Sequence, residues 1–302
     1  MKLMTFDVGG TEIKYALMDE QFNIYERGYV PTPMDTFEHF RDAIDGIYRP
    51  HADQVEGIAM SLPGFIDTEN GKVLDSGALR YNWRRPVGVQ LAEYCGCPVI
   101  LENDGKAAAQ AEFSCGSLQG CTNAAVFVIG TGVGGGLIID KKIVRGIHAC
   151  AGEFSFINAD SGMFDNFDGF VGNACSTTGL LRKYARLKGT DELIDGRELF
   201  ARMQEDTDAQ KALDWLATNI AKQIYNLYWL LDIEKVAIGG GISRQPIVTE
   251  KIREKFWEIL ALHPMPRIAE TIKVEIVPAT FSNDANLIGA FMTYVKLKDT
   301  IK

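Results

Sequence analysis

The chain has 302 residues, enough for two ordinary domains or one large α/β unit, and its balance of 46% apolar and 24% charged residues is that of a globular protein. A net charge of −9 argues against a nucleic acid or an anionic membrane held through bulk charge. No apolar run approaches the roughly 20 residues of a spanning helix, Asp7 interrupts the first apolar run so that no signal peptide is expected, and the six cysteines form no CxxC pair and read as reduced thiols in a cytoplasm.

Lys2 to Val8 reads as a strand entering a tight turn at Gly9-Gly10-Thr11, and Glu12 to Asp19 leaves it, so the two form a hairpin. Asn23 to Val30 is a third strand. Phe37, Phe40, Ile44 and Ile47 recur at helical spacing and predict a helix over 36–47. Val55 to Leu62 is a buried strand ending at Pro63-Gly64. Gln90 to Tyr94 reads as a helix end. Pro98 to Leu101 is a short strand that delivers Glu102-Asn103-Asp104 at its C-terminal end, with a helix following over Ala107 to Phe113.

A second half begins near residue 115. The strand Ala124 to Ile129 enters a second glycine turn, Gly130-Thr131-Gly132-Val133-Gly134-Gly135-Gly136, and the strand Gly136 to Ile139 leaves it. Between Asp208 and Asp232, Leu213, Leu216, Ile220, Ile224, Leu227 and Leu231 mark the strongest helix of the chain. Val236 to Ile238 runs into a third glycine turn, Gly239-Gly240-Gly241. Val274 to Val277 is a strand, and the last helix covers Asn286 to Val295. The stretch Asn158 to Gly172, rich in Asp, Asn, Gly and Phe, reads as a loop over a ligand cleft. The halves share one plan, which implies a duplicated α/β domain. Residues 1–114, joined by the C-terminal helix 286–302, form a smaller domain, and residues 115–285 a larger one.

Three glycine turns, each entered from a strand, expose main-chain N–H groups as concave anion sites and suggest a nucleotide held from several sides. Asp7 beside the first turn can hold Mg²⁺, directly or through water. Taken alone, an Asp there fixes its own turn, but Gly9, Gly10, Thr11 and Lys14 in register favour the phosphate reading. Asp104 at a strand end suits a general base for phosphoryl transfer to an alcohol. Asn103 can donate to and accept from sugar hydroxyls, and either residue can instead cap the following helix. Glu153, in Ala151-Gly152-Glu153-Phe154, can accept from vicinal hydroxyls, although a lone Glu is more often simply solvated. Asn82 and Trp83 could supply a hydrogen bond and a stacking face, with Trp83 more often a core residue. His148 has no Cys or His partner at metal-ligand spacing and reads as structural.

These motifs, with Leu62-Pro63-Gly64 and the closing Ala285-Asn286-Leu287-Ile288-Gly289-Ala290, resemble in order and spacing those of the ROK family of repressors, open reading frames and sugar kinases, over essentially the whole chain. The resemblance implies an actin-like, hexokinase-type fold of two α/β domains with ATP and sugar between them. It implies Asp104 as the base that takes the proton of a sugar hydroxyl, usually the 6-OH, with Asn103 and Glu153 on sugar hydroxyls and Gly64 lining the pocket. Gly9 to Thr11 and Gly130, Thr131 and Gly132 would hold phosphates, and Gly239, Gly240 and Gly241 would lie by the adenosine. It also implies Mg²⁺ with ATP, and a homodimer.

Two departures stand out. The family commonly places a His three residues after the Glu and then a cysteine-rich zinc loop. Here the position is Phe156 and only Cys175 follows, so no structural zinc is expected. The family's second Glu, at the sugar's anomeric end, has no clear match near Gly172-Asn173-Ala174. A substrate bulkier or more apolar at that end is expected, as for the zinc-lacking members, β-glucoside kinases and N-acetylmannosamine kinases among them. A DNA-binding regulator is a poor alternative, since the first phosphate turn begins at Asp7 and the chain is acidic. A non-catalytic sugar sensor remains the alternative that Phe156 keeps open.

Overall fold

A computed structural model describes residues 1–159 and 164–299. Positions 160–163, inside the stretch expected to be a loop, and 300–302, at the end of the expected closing segment, lie outside the described residues. The chain forms two compact units. The first comprises Met1–Ser114, Arg145–Ala151 and Asp284–Lys302, the second Cys115–Val144 and Gly152–Asn283.

The first unit is built on a five-stranded sheet. Strands β1 (Lys2–Val8), β2 (Glu12–Asp19) and β3 (Ile24–Pro31) form an antiparallel meander, and β4 (Ile58–Leu62) and β7 (Val99–Asn103) add parallel to β1, in the order β3-β2-β1-β4-β7. A small hairpin, β5 (Phe65–Asp67) and β6 (Lys72–Asp75), follows β4. Both sheet faces are covered, and strand periodicity decides which side chain goes where. Met4, Phe6, Ile58, Met60, Val99 and Leu101 pack with helices α1 (Phe37–Tyr48) and α2 (Val87–Cys95). Leu3, Ala59 and Ile100 point the other way. Helix α3 (Asp104–Cys115) begins directly at the end of β7.

The second unit repeats this arrangement. Strands β8 (Ala124–Ile129), β9 (Val133–Ile139) and β10 (Lys142–Ile143) make an antiparallel meander, and β11 (Lys235–Gly239) and β12 (Glu275–Pro278) add parallel to β8, in the order β10-β9-β8-β11-β12. Among the described residues six helices accompany it: α4 (Val171–Ala174), α5 (Thr177–Lys188), α6 (Gly196–Ala201), α7 (Thr207–Leu231), α8 (Pro246–Ala261) and α9 (Pro266–Ala269). The buried stripe of α7 contains Leu213, Leu216, Ile220, Ile224 and Leu227, the residues whose spacing predicts that helix. Helices α5 and α8 are absent from the expected elements. Their signals were present: Ser176 accepts from the Gly179 N–H and Gly189 closes α5 in the left-handed region, while α8 opens on Pro246 and buries Val248, Ile252, Phe256 and Leu260. Helix α2 runs from Val87 to Cys95 and contains the stretch Gln90 to Tyr94 that reads as a helix end, while β4 begins at Ile58 rather than at Val55. Among the described residues no helix is long and apolar enough to cross a membrane.

The closing helix α10 (Ala285–Leu297) returns to the first unit. Leu287, Ala290, Phe291 and Tyr294 cover the face formed by Leu3, Ala59 and Ile100. Its approach to α3 is so close that a Cβ on Gly289 would lie 1.8 Å from the Ala107 carbonyl oxygen. We expect Gly289→Ala to cost about 1–3 kcal/mol by overpacking, read as a lower midpoint in denaturant unfolding. A wild-type midpoint would contradict this packing.

A second prediction concerns acid. At the end of β2 the Asp19 carboxylate accepts from the N–H groups of Gln21 (2.9 Å) and Asn23 (3.0 Å), the Asn23 amide (3.0 Å) and the Tyr25 hydroxyl (2.7 Å). The Asn23 side chain, then Tyr25, holds its pKa down to about 2. Because the folded value lies below the ordinary one, the stabilisation is complete above about pH 4 and is lost as pH falls toward 2. Asp19→Asn should flatten that part of the melting-temperature profile. An unchanged acid limb would remove Asp19 from it.

Candidate functional site

In the first unit, the parallel register sets the ends of three strands level. Asp7 pairs with Ser61, Ser61 with Glu102, and Leu62 with Asn103. Asp7 Oδ1 accepts from the Ser61 hydroxyl (3.2 Å) and from the amide of Asn286 (2.9 Å) on the first turn of α10. Burial pushes the Asp7 carboxyl up from the usual carboxylate range and outweighs the opposing pull of Asn286, Lys14 and Ser61. The adjacent turn is closed by the Gly9 N–H donating to the Glu12 carbonyl (2.9 Å). Thr32 ties it from outside, its hydroxyl donating to the Gly9 carbonyl (2.7 Å) and its N–H to the Thr11 carbonyl (3.0 Å). Gly10 and Thr11 are exposed. Lys14 is part-exposed and lies 3.4 Å from the Glu12 carboxylate, a pair that contributes little to stability.

At the junction of β7 and α3 the helix-capping role foreseen for either Asn103 or Asp104 falls to Asn103. Asn103 caps the helix, its Oδ1 accepting from the Lys106 N–H (3.0 Å). The same amide donates to the Gly64 carbonyl (2.9 Å) and to Asp104 Oδ1 (3.0 Å). Asp104 Oδ1 also accepts from the Gly105 N–H (2.7 Å), so its carboxylate is aimed by two donors while its side chain stays only part-buried. Gly64 has φ +97°, and a Cβ there would lie 2.0 Å from the Asp75 carbonyl oxygen, so only glycine brings this backbone under Asn103.

One residue earlier, Glu102 is fully buried. Its carboxylate accepts from Thr68 (3.2 Å), from the Asn103 N–H (3.0 Å) and from Arg145 through Nε (2.9 Å) and Nη2. Arg145, Thr68, Ser61, Thr32 and Asn286 were not foreseen as site residues. Their partners are 11 or more positions away in sequence, and no local motif marks them. Asn286 alone sat inside a motif, the closing Ala285 to Ala290 segment.

Asn82 ends a 3₁₀ turn, Arg80–Asn82. It is buried, and its Oδ1 has no hydrogen-bond partner among the described residues. Trp83, more often a core residue type, is 58% exposed, with the Arg84 guanidinium 4.8 Å from its ring centre.

The second unit gathers the other two glycine turns at the C-terminal ends of two adjacent central strands, because β11 runs parallel beside β8. The Gly130 N–H donates to the Gly132 carbonyl (2.9 Å), and the Gly130 carbonyl accepts from the Thr177 N–H (2.8 Å), which brings the first turn of α5 against this loop. Helix N-termini and successive turn N–H groups both favour anions. Gly239 ends β11, and Gly240, at φ +90°, passes so close that a Cβ would lie 2.3 Å from the Ile129 carbonyl oxygen. A Cβ on Gly241 would meet nothing within 4 Å, so the backbone there is open to a ligand, and Thr131 is exposed.

Glu153 occupies the residue before a 3₁₀ turn, Phe154–Phe156, without a side-chain capping bond, and is part-buried. Phe154 pins that turn by stacking on Phe127 (ring centres 4.2 Å apart, 15° between planes). The stack needs Gly135, where a Cβ would lie 2.5 Å from the Phe154 ring. Phe156 is left 58% exposed on the same turn. Cys175 is buried, and burial pushes its thiol up to about 12. His148 is exposed. Among the described residues no group of three His, Cys, Asp or Glu side chains is placed to hold a metal ion.

This arrangement matches known proteins along the whole chain. The profile of the ROK family matches residues 3–296. The glucokinase of Halalkalibacterium halodurans is 30% identical, with 94% of this chain and 92% of that protein covered. The beta-glucoside kinase of Listeria monocytogenes is 29% identical, with 98% of both covered. Among solved structures, the ROK family glucokinase of Streptomyces griseus, in complex with glucose and AMPPNP, superposes with a TM-score of 0.79 at 27% identity, over 96% of this chain and 98% of that one. The fold is therefore the duplicated α/β, actin-like fold of hexokinase type. The chain belongs to the ROK family.

Proposed function

We propose that this ATP-dependent carbohydrate kinase transfers the γ-phosphoryl group of ATP to a sugar hydroxyl, the 6-OH of a hexose or hexoside, with Asp104 as general base. The observation that carries the assignment is the Asn103–Asp104 junction. Two donors orient the Asp104 carboxylate at the end of a parallel strand, and the amide that supplies one of them is itself locked by the helix it caps. A part-exposed carboxylate so held can take the hydroxyl proton as the oxygen attacks the γ-phosphorus. The bond from that phosphorus to the bridging oxygen breaks, and ADP leaves. Asn103, Glu153, Gly64 and Asn82 are the proposed sugar contacts. The orphaned Asn82 Oδ1 supports its part in this set, since a buried acceptor without a partner is costly unless something bonds to it.

The turn Gly9, Gly10, Thr11, with Lys14, and the turn Gly130, Thr131, Gly132 are the proposed phosphate cradle, with Gly239, Gly240 and Gly241 beside the adenosine. Asp7 is the residue that would hold Mg²⁺. Among the described residues both side chains that donate to it do so at Oδ1, and its carboxyl is pushed up by burial, an environment that a cation would offset. When bound, the ion neutralises charge on the phosphates. The reading places the reaction in the cytoplasm, where ATP is supplied, and includes a homodimer, for which light scattering should give about twice the chain mass.

Asp104→Asn is expected to lower kcat by about 10²–10⁴-fold while sugar binding, followed by calorimetry, is largely kept. Full turnover in this variant would remove Asp104 from the mechanism.

The acceptor is proposed to be bulkier or more apolar than free glucose at its anomeric end, because an exposed Phe156 shares its turn with Glu153. A coupled ADP-release assay over glucose, mannose, fructose, N-acetylmannosamine, N-acetylglucosamine, cellobiose and aryl β-glucosides should therefore show a β-glucoside or an N-acetyl sugar well above glucose. Phe156→His should shift kcat/KM back toward glucose. Glucose as the best acceptor of the wild-type chain would overturn the role given to Phe156.

A further inference from the structure

The second unit holds a cavity of about 670 Å³ that includes none of the glycine turns and neither Glu153 nor Phe156. Two helices face each other across it. Gly179, Arg182, Lys183 and Arg186 lie at helical spacing on α5, and Asp214, Trp215, Thr218, Asn219 and Lys222 do so on α7. Lys255 of α8 completes the charge set. Five cations thus line the space against two carboxylates, Asp168 and Asp214, in a chain whose net charge is −9.

Both carboxylates have cationic neighbours, although Asp214 Oδ1 accepts no hydrogen bond among the described residues. Asp168 pairs with Arg186 at 3.0 Å, and Asp214 lies 3.6 Å from both Lys251 and Lys255. Arg182 and Lys222 make no ion pair among the described residues, and Lys183 has only the Trp215 ring, 5.4 Å from its ammonium. The deeper wall adds an independent sign. Asn219 is only 8% exposed, lines the cavity, and has no side-chain hydrogen bond among the described residues. A nearly buried amide without a partner normally finds one. An amide that can both donate and accept, next to unpaired cations, is the donor set for a hydroxyl-bearing anion. The volume lies in the range of small-molecule sites.

We propose that this cavity is a second ligand site, for a phosphorylated sugar, with Arg182 and Lys222 on the phosphate and Asn219 on a sugar hydroxyl. A nucleotide fits less well, because the one aromatic face offered, that of Trp215, is already occupied by Lys183. The proposal goes beyond the kinase reading and does not require turnover, so its test fails or succeeds independently of that reading.

The test is calorimetric titration of the full chain with glucose 6-phosphate and, separately, inorganic phosphate, with AMPPNP and Mg²⁺ present at saturation to fill the nucleotide turns. Glucose 6-phosphate should bind under these conditions, and more tightly than inorganic phosphate. The double variant Arg182→Ala/Lys222→Ala should weaken it at least tenfold without lowering the melting temperature, since both side chains are exposed. Asn219→Ala should weaken glucose 6-phosphate and leave inorganic phosphate unchanged. No binding of glucose 6-phosphate, or binding that the double variant leaves intact, would overturn the site. Equal affinity for the two probes would overturn its assignment to a sugar phosphate.

Discussion

A charge buried one residue before the proposed base organises the first unit. Glu102 is fully removed from solvent, where an unpaired carboxylate would be strongly unfavourable. It is held by Thr68 from the β5–β6 hairpin, by its neighbour's N–H, and by one edge of the Arg145 guanidinium, whose Nε and Nη2 both donate to Oε2. Arg145 belongs to the short segment Arg145–Ala151, which leaves the second stretch of chain to pack in the first unit. One ion pair therefore ties three separate parts of the sequence to the strand end from which Asn103 and Asp104 project. Removing Arg145 would leave the buried Glu102 charge without its cation at the point where the proposed chemistry needs the tightest geometry.

The same logic of shared restraints recurs at Asp7. Its register partner Ser61 comes from the neighbouring strand and its other donor, Asn286, from the last helix. That helix is seated by Gly289 against α3, whose own first turn is capped by Asn103. The proposed phosphate turn and the proposed base are thus linked through one helix–helix contact. In the second unit a glycine again sets the geometry: Gly135 admits the Phe154–Phe127 stack, and the stack fixes the turn that carries Glu153 and Phe156.

Glycines that read as a single kind of signal in the sequence therefore do three different things. Gly241 leaves backbone open, Gly240 and Gly64 permit left-handed backbone against a neighbouring chain, and Gly135 and Gly289 are contacts where any side chain would collide. Sequence position alone does not separate these roles, because each depends on what lies across the gap.

What the sequence by itself determined was everything encoded within a few residues. The strand–turn–strand pattern at Gly9 to Thr11 and at Gly130 to Gly136, the helix of Leu213 to Leu227, and the order of motifs that marks the ROK family depend on local periodicity and turn chemistry, and these survive into the structure. Helices α5 and α8 were equally legible, with caps and an apolar stripe in place, but were not drawn from those signals. Only the tertiary structure decided that Asn103 caps while Asp104 is aimed, that Arg145 and Thr68 neutralise Glu102, that Asn286 reaches Asp7, and that Trp83 stands exposed while Asn82 is buried. The side-chain partners of Glu102 and Asp7 lie dozens to hundreds of residues away. Such partnerships arise because burying a polar group forces it to find a partner wherever the packing of strands and helices has brought one, and no local pattern records that meeting.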